Sequence, residues 1–321
     1  KTLAFYDVRD AWRFNNKENI KTDGVSFNSG RNPSYGASLN YFIPKGTDGT
    51  AKIEIHDVHG ELVRSMEVKI EDGANRAQWD LRYEPTYTPK LRVAPPGRPW
   101  VQLNGEGWRP LVQWDLDLMA GQFGPRVVPG IYEASLLLSD AEGHVLERPS
   151  TDFEVLNAPP AAGSLTDIRA QVAFSLQLRD AMNLAVSNIN TVEVLRSELE
   201  AIISEGSNNA TTKEAIRLKE AAEEIANKLY DIQLTGARED AFRSPIKLYG
   251  RLSALASDIN SSGIDFRPTD QQGEVYEVLD ERLQAAIKQF DELINTDIEK
   301  FNKALQQQNR KIDLEGTGGE E

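Results

Sequence analysis

The 321-residue chain has no cysteine. Disulfide frameworks, thiolate metal sites and cysteine nucleophiles are therefore excluded. It has only three histidines, His56, His59 and His144. Two of them flank one turn and the third lies beside another, so they read as turn and surface residues rather than a zinc set, which needs three or four convergent ligands. No apolar run approaches the roughly 18 residues needed to span a bilayer, and no membrane span is expected. Positive charge is in deficit. With 36 Lys+Arg against 50 Asp+Glu the formal net charge is -14, which argues against nucleic acid as a partner because its phosphates would be repelled. Catalytic signatures are missing too. There is no Gly-x-Ser-x-Gly elbow, no P-loop and no Gly-x-Gly-x-x-Gly after a strand. No cofactor is expected.

Hydrophobic residues at 40% are enough for real cores, and the length points to two domains. Residues 1–160 hold 18 basic and 22 acidic residues, a net of -4, against 18 and 28, a net of -10, in the remainder. The acidic half reads as a solvated helical surface. A chain that opens on Lys1 rather than Met is expected to be a processed product or a segment of something longer.

Two periods divide the chain. Residues 1–157 read as β. Strands are expected at Tyr35–Ile43, Ala51–Val58 (alternating Ile53, Ile55 and, less strictly, Val58), Glu61–Ile70 (Met66, Val68, Ile70), Asn75–Leu81 with Trp79, Gly130–Leu138 (Tyr132, Ala134, Leu136, Leu138) and Thr151–Leu156. His59-Gly60 and Asp140–Gly143 supply turns. Short strands with turns between them predict an antiparallel β-sandwich.

Residues 83–129 interrupt that rhythm with a Pro- and Gly-rich insertion carrying Trp100, Trp108 and Trp114. Connections of this length are functional or folded on their own. The expectation is that the tryptophans form a local mini-core against the sheet, with at least one left partly exposed. The alternative is an external interface to a protein or a sugar. Asp115 and Asp117 in the same loop are a weak calcium motif, of a kind frequent by chance.

Residues 158–163 form a Pro-rich linker, and 164–312 read as four helices. A Ser164–Asp167 capping box opens the first, from about 166 to 204, with Ile168, Val172, Leu178, Met182, Val186, Ile189, Val192, Leu195, Leu199 and Ile202 on one stripe. Thr211 and Glu214 are expected to cap the second, whose stripe runs Ala215, Leu218, Ala222, Ile225, Leu229, Ile232. Ser244-Pro245 opens the third. Pro268-Thr269 with Gln272 opens the fourth, with Val275, Leu279, Leu283, Ile287, Phe290, Ile294, Phe301 and Leu305. The outer two, at roughly 57 Å each, predict an elongated up-down antiparallel bundle. Residues 313–321 are expected to be a disordered tail. Asn209 and Asn260 match glycosylation sequons without further support.

Several segments together resemble one family. Arg31–Phe42 (RNPSYGASLNYF) resembles an NPPYGA-type entry strand. Ala74–Tyr83 (ANRAQWDLRY) resembles a strand ending in WDLRY, and Phe123–Tyr132 (FGPRVVPGIY) a GP…PG-x-Y approach to the next strand. Leu165–Gln171 with Leu178-Arg-Asp, and Pro268–Gln272, resemble the starts of its first and last helices. These are similar to the C-terminal region of bacterial exported proteins with sortilin-like, BNR-type β-propellers, often described as glycosyl hydrolases, over about residues 5 to 312. The Trp79-Asp and Pro129-Gly130-x-Tyr132 patterns also resemble the immunoglobulin-like domain of flagellar hook-cap proteins.

The resemblance implies a propeller upstream of Lys1 and an extracytoplasmic location. Any activity credited to the propeller does not transfer to these residues, so this chain is expected not to be an enzyme. The expected role is a non-catalytic accessory region that docks the propeller, acts as a spacer or binds another protein. The alternative is a carbohydrate-binding module of a glycosidase that uses the tryptophan loop on a glycan.

Overall fold

A computed structural model describes residues 2–14, 34–114, 116, 118–157, 163–206, 209–261, 265–306 and 309–314. Mostly antiparallel sheets are followed by a helical region. The chain divides into two compact units. One comprises Lys1–Pro85, Gly124–Ala173 and Gly263–Arg267, the other Thr86–Phe123, Phe174–Ser262 and Pro268–Glu321. The expected insertion is thus parted from the strands on either side of it, because Thr86–Phe123 are counted with the helices.

In the β unit, β1 (Ala4–Phe5), β3 (Ala37–Ile43) and β6 (Gly73–Trp79) form a three-stranded sheet in the order β1-β3-β6. The second sheet runs β2 (Ala11–Arg13), β11 (Ser150–Asn157), β9 (Gly130–Ser139), β4 (Thr50–Asp57), β5 (Leu62–Val68), with β10 (Val145–Glu147) also on β9. Among the described strands only the β2–β11 pair is parallel. Strict alternation in β3 buries Ala37, Leu39, Tyr41 and Ile43, the period-2 signature of a half-buried strand. One apolar cluster draws on both sheets, with Leu39, Tyr41 and Trp79 from the first and Ile53, Ile55, Tyr132, Leu136 and Phe153 from the second. Trp79 packs edge-on against Tyr132 and Phe153, at centroid distances of 5.5 and 5.9 Å.

β3 and β6 meet here, with Ala37 pairing with Trp79. Gly36 enters that pair at φ +103°, and a Cβ there would sit 1.9 Å from the Trp79 carbonyl oxygen. Only glycine fits. Val58 departs from expectation. A bulge between Ile55 and His56 shifts the register, and Val58, beyond it, is 68% exposed.

In the helical region, α2 (Leu165–Glu205) starts as read, with Asp167 N–H donating to Ser164 Oγ at 3.2 Å and Ser164 Oγ donating to the Asp167 carboxylate at 2.6 Å. Helix α3 (Ala210–Leu229) is capped by Asn209, which accepts from Thr212 N–H at 2.8 Å. The expected Thr211 cap is two residues late, because an Asn side chain was available earlier. Tyr230 ends α3, so Ile232 lies beyond the helix. A short α4 (Asp240–Arg243) precedes α5 (Leu248–Ser261). Helix α6 (Asp270–Glu292) opens with a full Thr269/Gln272 capping box and runs through a π-helical turn, Leu293–Ile298, into α7 (Glu299–Leu305). Its buried stripe steps from Leu293 to Ile298 before continuing to Phe301 and Leu305. A five-residue step does not fit a 3.6-residue period, and the wider turn absorbs it. Val275, expected on that stripe, is 48% exposed. The described start of the expected tail is packed, with Leu314 lying against the helical core. The linker 158–162, Asp115, Asp117 and 315–321 lie outside the described residues.

Candidate functional site

The insertion is held to α2 by a ladder of side chains. Asn183 Oδ1 accepts from Tyr87 N–H at 2.8 Å, Asn190 Oδ1 from Lys90 N–H at 2.8 Å, and Glu193 Oε2 from Arg92 and Val93 N–H at 2.7 and 3.2 Å. Spacings of seven and three put all three acceptors on one face of α2. Asn190 and Glu193 satisfy partly or fully buried backbone donors that would otherwise be stranded beside the core.

Leucines anchor the segment. Leu91, Leu111 and Leu118 join the main helical cluster. Between them lie the two-residue ribbon β7 (Lys90–Leu91) and β8 (Arg109–Pro110), and the short helix α1 (Leu118–Gln122). Helix α1 lies tight on α5, since a Cβ on Gly121 would be 2.6 Å from the Ser253 carbonyl oxygen.

With leucines inside, the tryptophans are left outside. Trp100 is 70% exposed and Trp114 57%, so the mini-core expectation fails for both. Trp108 is half-buried, its indole N–H donating to Glu106 at 2.7 Å and Lys90 Nζ standing 5.8 Å over its ring.

The segment that carries them is nonetheless tied down at two points. Trp114 Nε1 donates to the Gly236 carbonyl at 2.8 Å, and Arg98, two residues before Trp100, donates to the Gln233 carbonyl at 2.6 Å. Both acceptors belong to the loop between α3 and α4. That loop is rigidified by Asp240, fully buried, which accepts from Thr235 N–H at 2.7 Å and Gly236 N–H at 2.9 Å. Burial raises the Asp240 pKa, but these bonds and Arg243 outweigh it and hold the carboxyl below its ordinary value. Phe242, on α4 just beyond that loop, is 85% exposed.

Behind this surface lies a buried charged network. Glu193 is ion-paired with Arg196 and accepts from the Tyr230 hydroxyl at 2.5 Å; Arg196 also bonds Glu223 at 3.2 Å. Burial works against the charge of Arg196, but Tyr230, Glu193 and Glu223 outweigh it and its pKa is raised. Burial lowers that of nearby Arg109.

Among the described residues no group of three or more His, Asp or Glu side chains is arranged to hold a metal. His56 lines a polar cleft of about 650 Å³ on the β unit with Glu133, Arg148 and Asp152. Glu133 sits directly between His56 and Asp152 on neighbouring strands. Sequence spacing does not reveal this row, because the three residues are about 77 and 19 positions apart and only strand register aligns them. His144 bonds Asp140 in its own turn.

No family model matches the chain, and no curated protein matches it. Among solved structures it is similar to a chain titled "pT26-6p", at 9% identity over 84% of this chain and 46% of that one, with a TM-score of 0.16. This chain therefore spans less than half of that relative, and a likeness of that degree carries no argument about fold or function. No helix among the described residues is long and apolar enough to cross a membrane.

Proposed function

We propose that this chain is a non-catalytic interaction region of a larger exported protein, and that it binds a protein partner through the face bearing Trp100 and Trp114. The observation that carries this reading is the exposure of two indoles on a segment that Trp114 Nε1 and the Arg98 side chain tie to one loop. Rigid, exposed aromatics supply contact area at little conformational cost, and exposed apolar patches on soluble proteins mark interaction sites. The family resemblance proposes the partner, a β-propeller upstream of Lys1, and an extracytoplasmic location.

The finer architecture belongs to the same reading. We take the β unit as an immunoglobulin-like sandwich, supported by the cluster shared between its two sheets. The Tyr132 hydroxyl also bonds back to the Val128 carbonyl at 2.6 Å, a bond similar to the tyrosine corner of such domains. The helices are taken as an up-down bundle, supported by the single cluster their stripes form.

A carbohydrate-binding module serving a glycosidase is the second reading, favoured by the open indole of Trp100, which is of the kind that stacks on sugars. Titration of this chain with the separately produced upstream segment, beside a glycan array, separates the two. Saturable binding of the segment, lost in a Trp100→Ala/Trp114→Ala variant, supports the first reading. Glycan binding lost in that variant, without segment binding, replaces it with the second. Binding unaffected by both substitutions removes the surface from either.

A further inference from the structure

The C-terminal half is strongly acidic, so positive charge gathered in one place there stands out. A cleft of about 520 Å³, formed by the end of α3, the start of α5 and the middle of α6, is lined by Lys228, Lys247, Arg251 and Arg282 and by no carboxylate. Lys228 is partly neutralised by Glu224 at 3.3 Å, outside the lining, and donates to Gln289 at 2.5 Å. Arg251 spends only its Nε, on the Ile246 carbonyl at 3.1 Å. Among the described residues, Lys247, Arg251 and Arg282 form no ion pair.

Four like charges around one concavity raise its potential and attract anions. The first turn of the 14-residue helix α5 opens onto the same space through Leu248 and the two residues before it. The positive end of its dipole adds to that potential. Besides these cations and the polar Asn227 and Gln289, the lining is apolar. Leu248 and Ala286 are buried, and Ile246 is half-buried beside them. A cation rim over an apolar floor, in a volume typical of small-molecule sites, defines the occupant by its chemistry.

We propose that this cleft binds a small organic anion, a carboxylate or phosphate monoester with an alkyl or aryl body. Arg251 and Arg282 pair with the oxyanion as guanidinium forks, Lys247 adds charge, and Ile246, Leu248 and Ala286 receive the apolar body. The proposal is independent of the tryptophan face and concerns none of its residues.

The test is calorimetric titration of the whole chain with octanoate, octyl phosphate, inorganic phosphate and octylammonium. Octanoate or octyl phosphate should saturate one site, and the tighter of the two identifies the head group. Inorganic phosphate should bind more weakly for want of an apolar body, and octylammonium should not bind. Arg251 and Arg282 are exposed, so an Arg251→Gln/Arg282→Gln variant should melt as the parent does. Its affinity should fall by about tenfold or more, the loss of two charge-assisted bonds. No saturation by either octyl anion, equal affinity for octylammonium, or unchanged affinity in the double variant would overturn the proposal. Tighter binding of hexaglutamate than of either octyl anion would overturn it too, assigning the cleft to an acidic polypeptide.

Discussion

The hydroxyl of Tyr230 donates to Glu193 at 2.5 Å inside the helical unit, where both residues are buried. Glu193 accepts at once from two backbone amides of the insertion, from Tyr230 and from Arg196. Glu193→Ala leaves Arg196 buried without its main counter-ion and strands both amides. The expected cost is about 3–5 kcal/mol, the range for breaking one side of a buried pair. Urea unfolding of the variant checks it, and Glu193→Gln, which keeps the acceptor oxygen, should lose less.

Tyr132, Tyr230 and Tyr249 have raised pKa values, chiefly through burial; Glu193 adds to the effect at Tyr230, and Tyr249 is pushed up to about 12. A folded-state pKa above the unfolded value means the native state keeps protons that the unfolded chain releases. Stability from these groups is therefore complete below the unfolded value of about 10 and falls as pH rises beyond it. Melting temperature should drop above pH 10. The last tyrosinate absorbance should appear together with loss of helical signal, and Tyr230→Phe should soften the decline.

Gly36→Ala should destabilise the β unit by about 2–3 kcal/mol, the scale of a strained positive-φ residue combined with a backbone clash. The added Cβ meets the Trp79 carbonyl, which β6 holds in register. Thermal melts followed through the near-ultraviolet signal of Trp79 read the effect. A variant that melts with the parent would show that the turn can relax.

Leu229, 1% exposed at the end of the α3 stripe, should cost about 2–5 kcal/mol when changed to Ala. A melt within a degree or two of the parent would contradict that packing.

The β-then-α order and the helix stripes are legible because they rest on local periodicity. Leu178 to Ile202 and Ala215 to Leu229 repeat at three and four, and nearly every member is buried. Less is legible where long-range pairing decides. Nothing local shows that Asn183, Asn190 and Glu193, polar residues of α2, are acceptors for the backbone of the insertion about a hundred positions earlier. Without that ladder the tryptophans look like the natural core of the loop. With it, Leu91, Leu111 and Leu118 take the interior. The π turn after Glu292 is not legible from the spacing of Ile294 and Phe301, which fits an ordinary helix; the buried pair Leu293 and Ile298, five residues apart, locates it.

If the face of Trp100 and Trp114 docks a protein, the proposed longer parent protein covers it. Hydroxyl-radical footprinting with peptide mass spectrometry, run on the parent and on this chain alone, reads it directly. Both indoles should be oxidised readily in the isolated chain and protected several-fold in the parent, while exposed Val58 reports whether protection is local or general. Equal oxidation of Trp100 and Trp114 in the two proteins would contradict that docking.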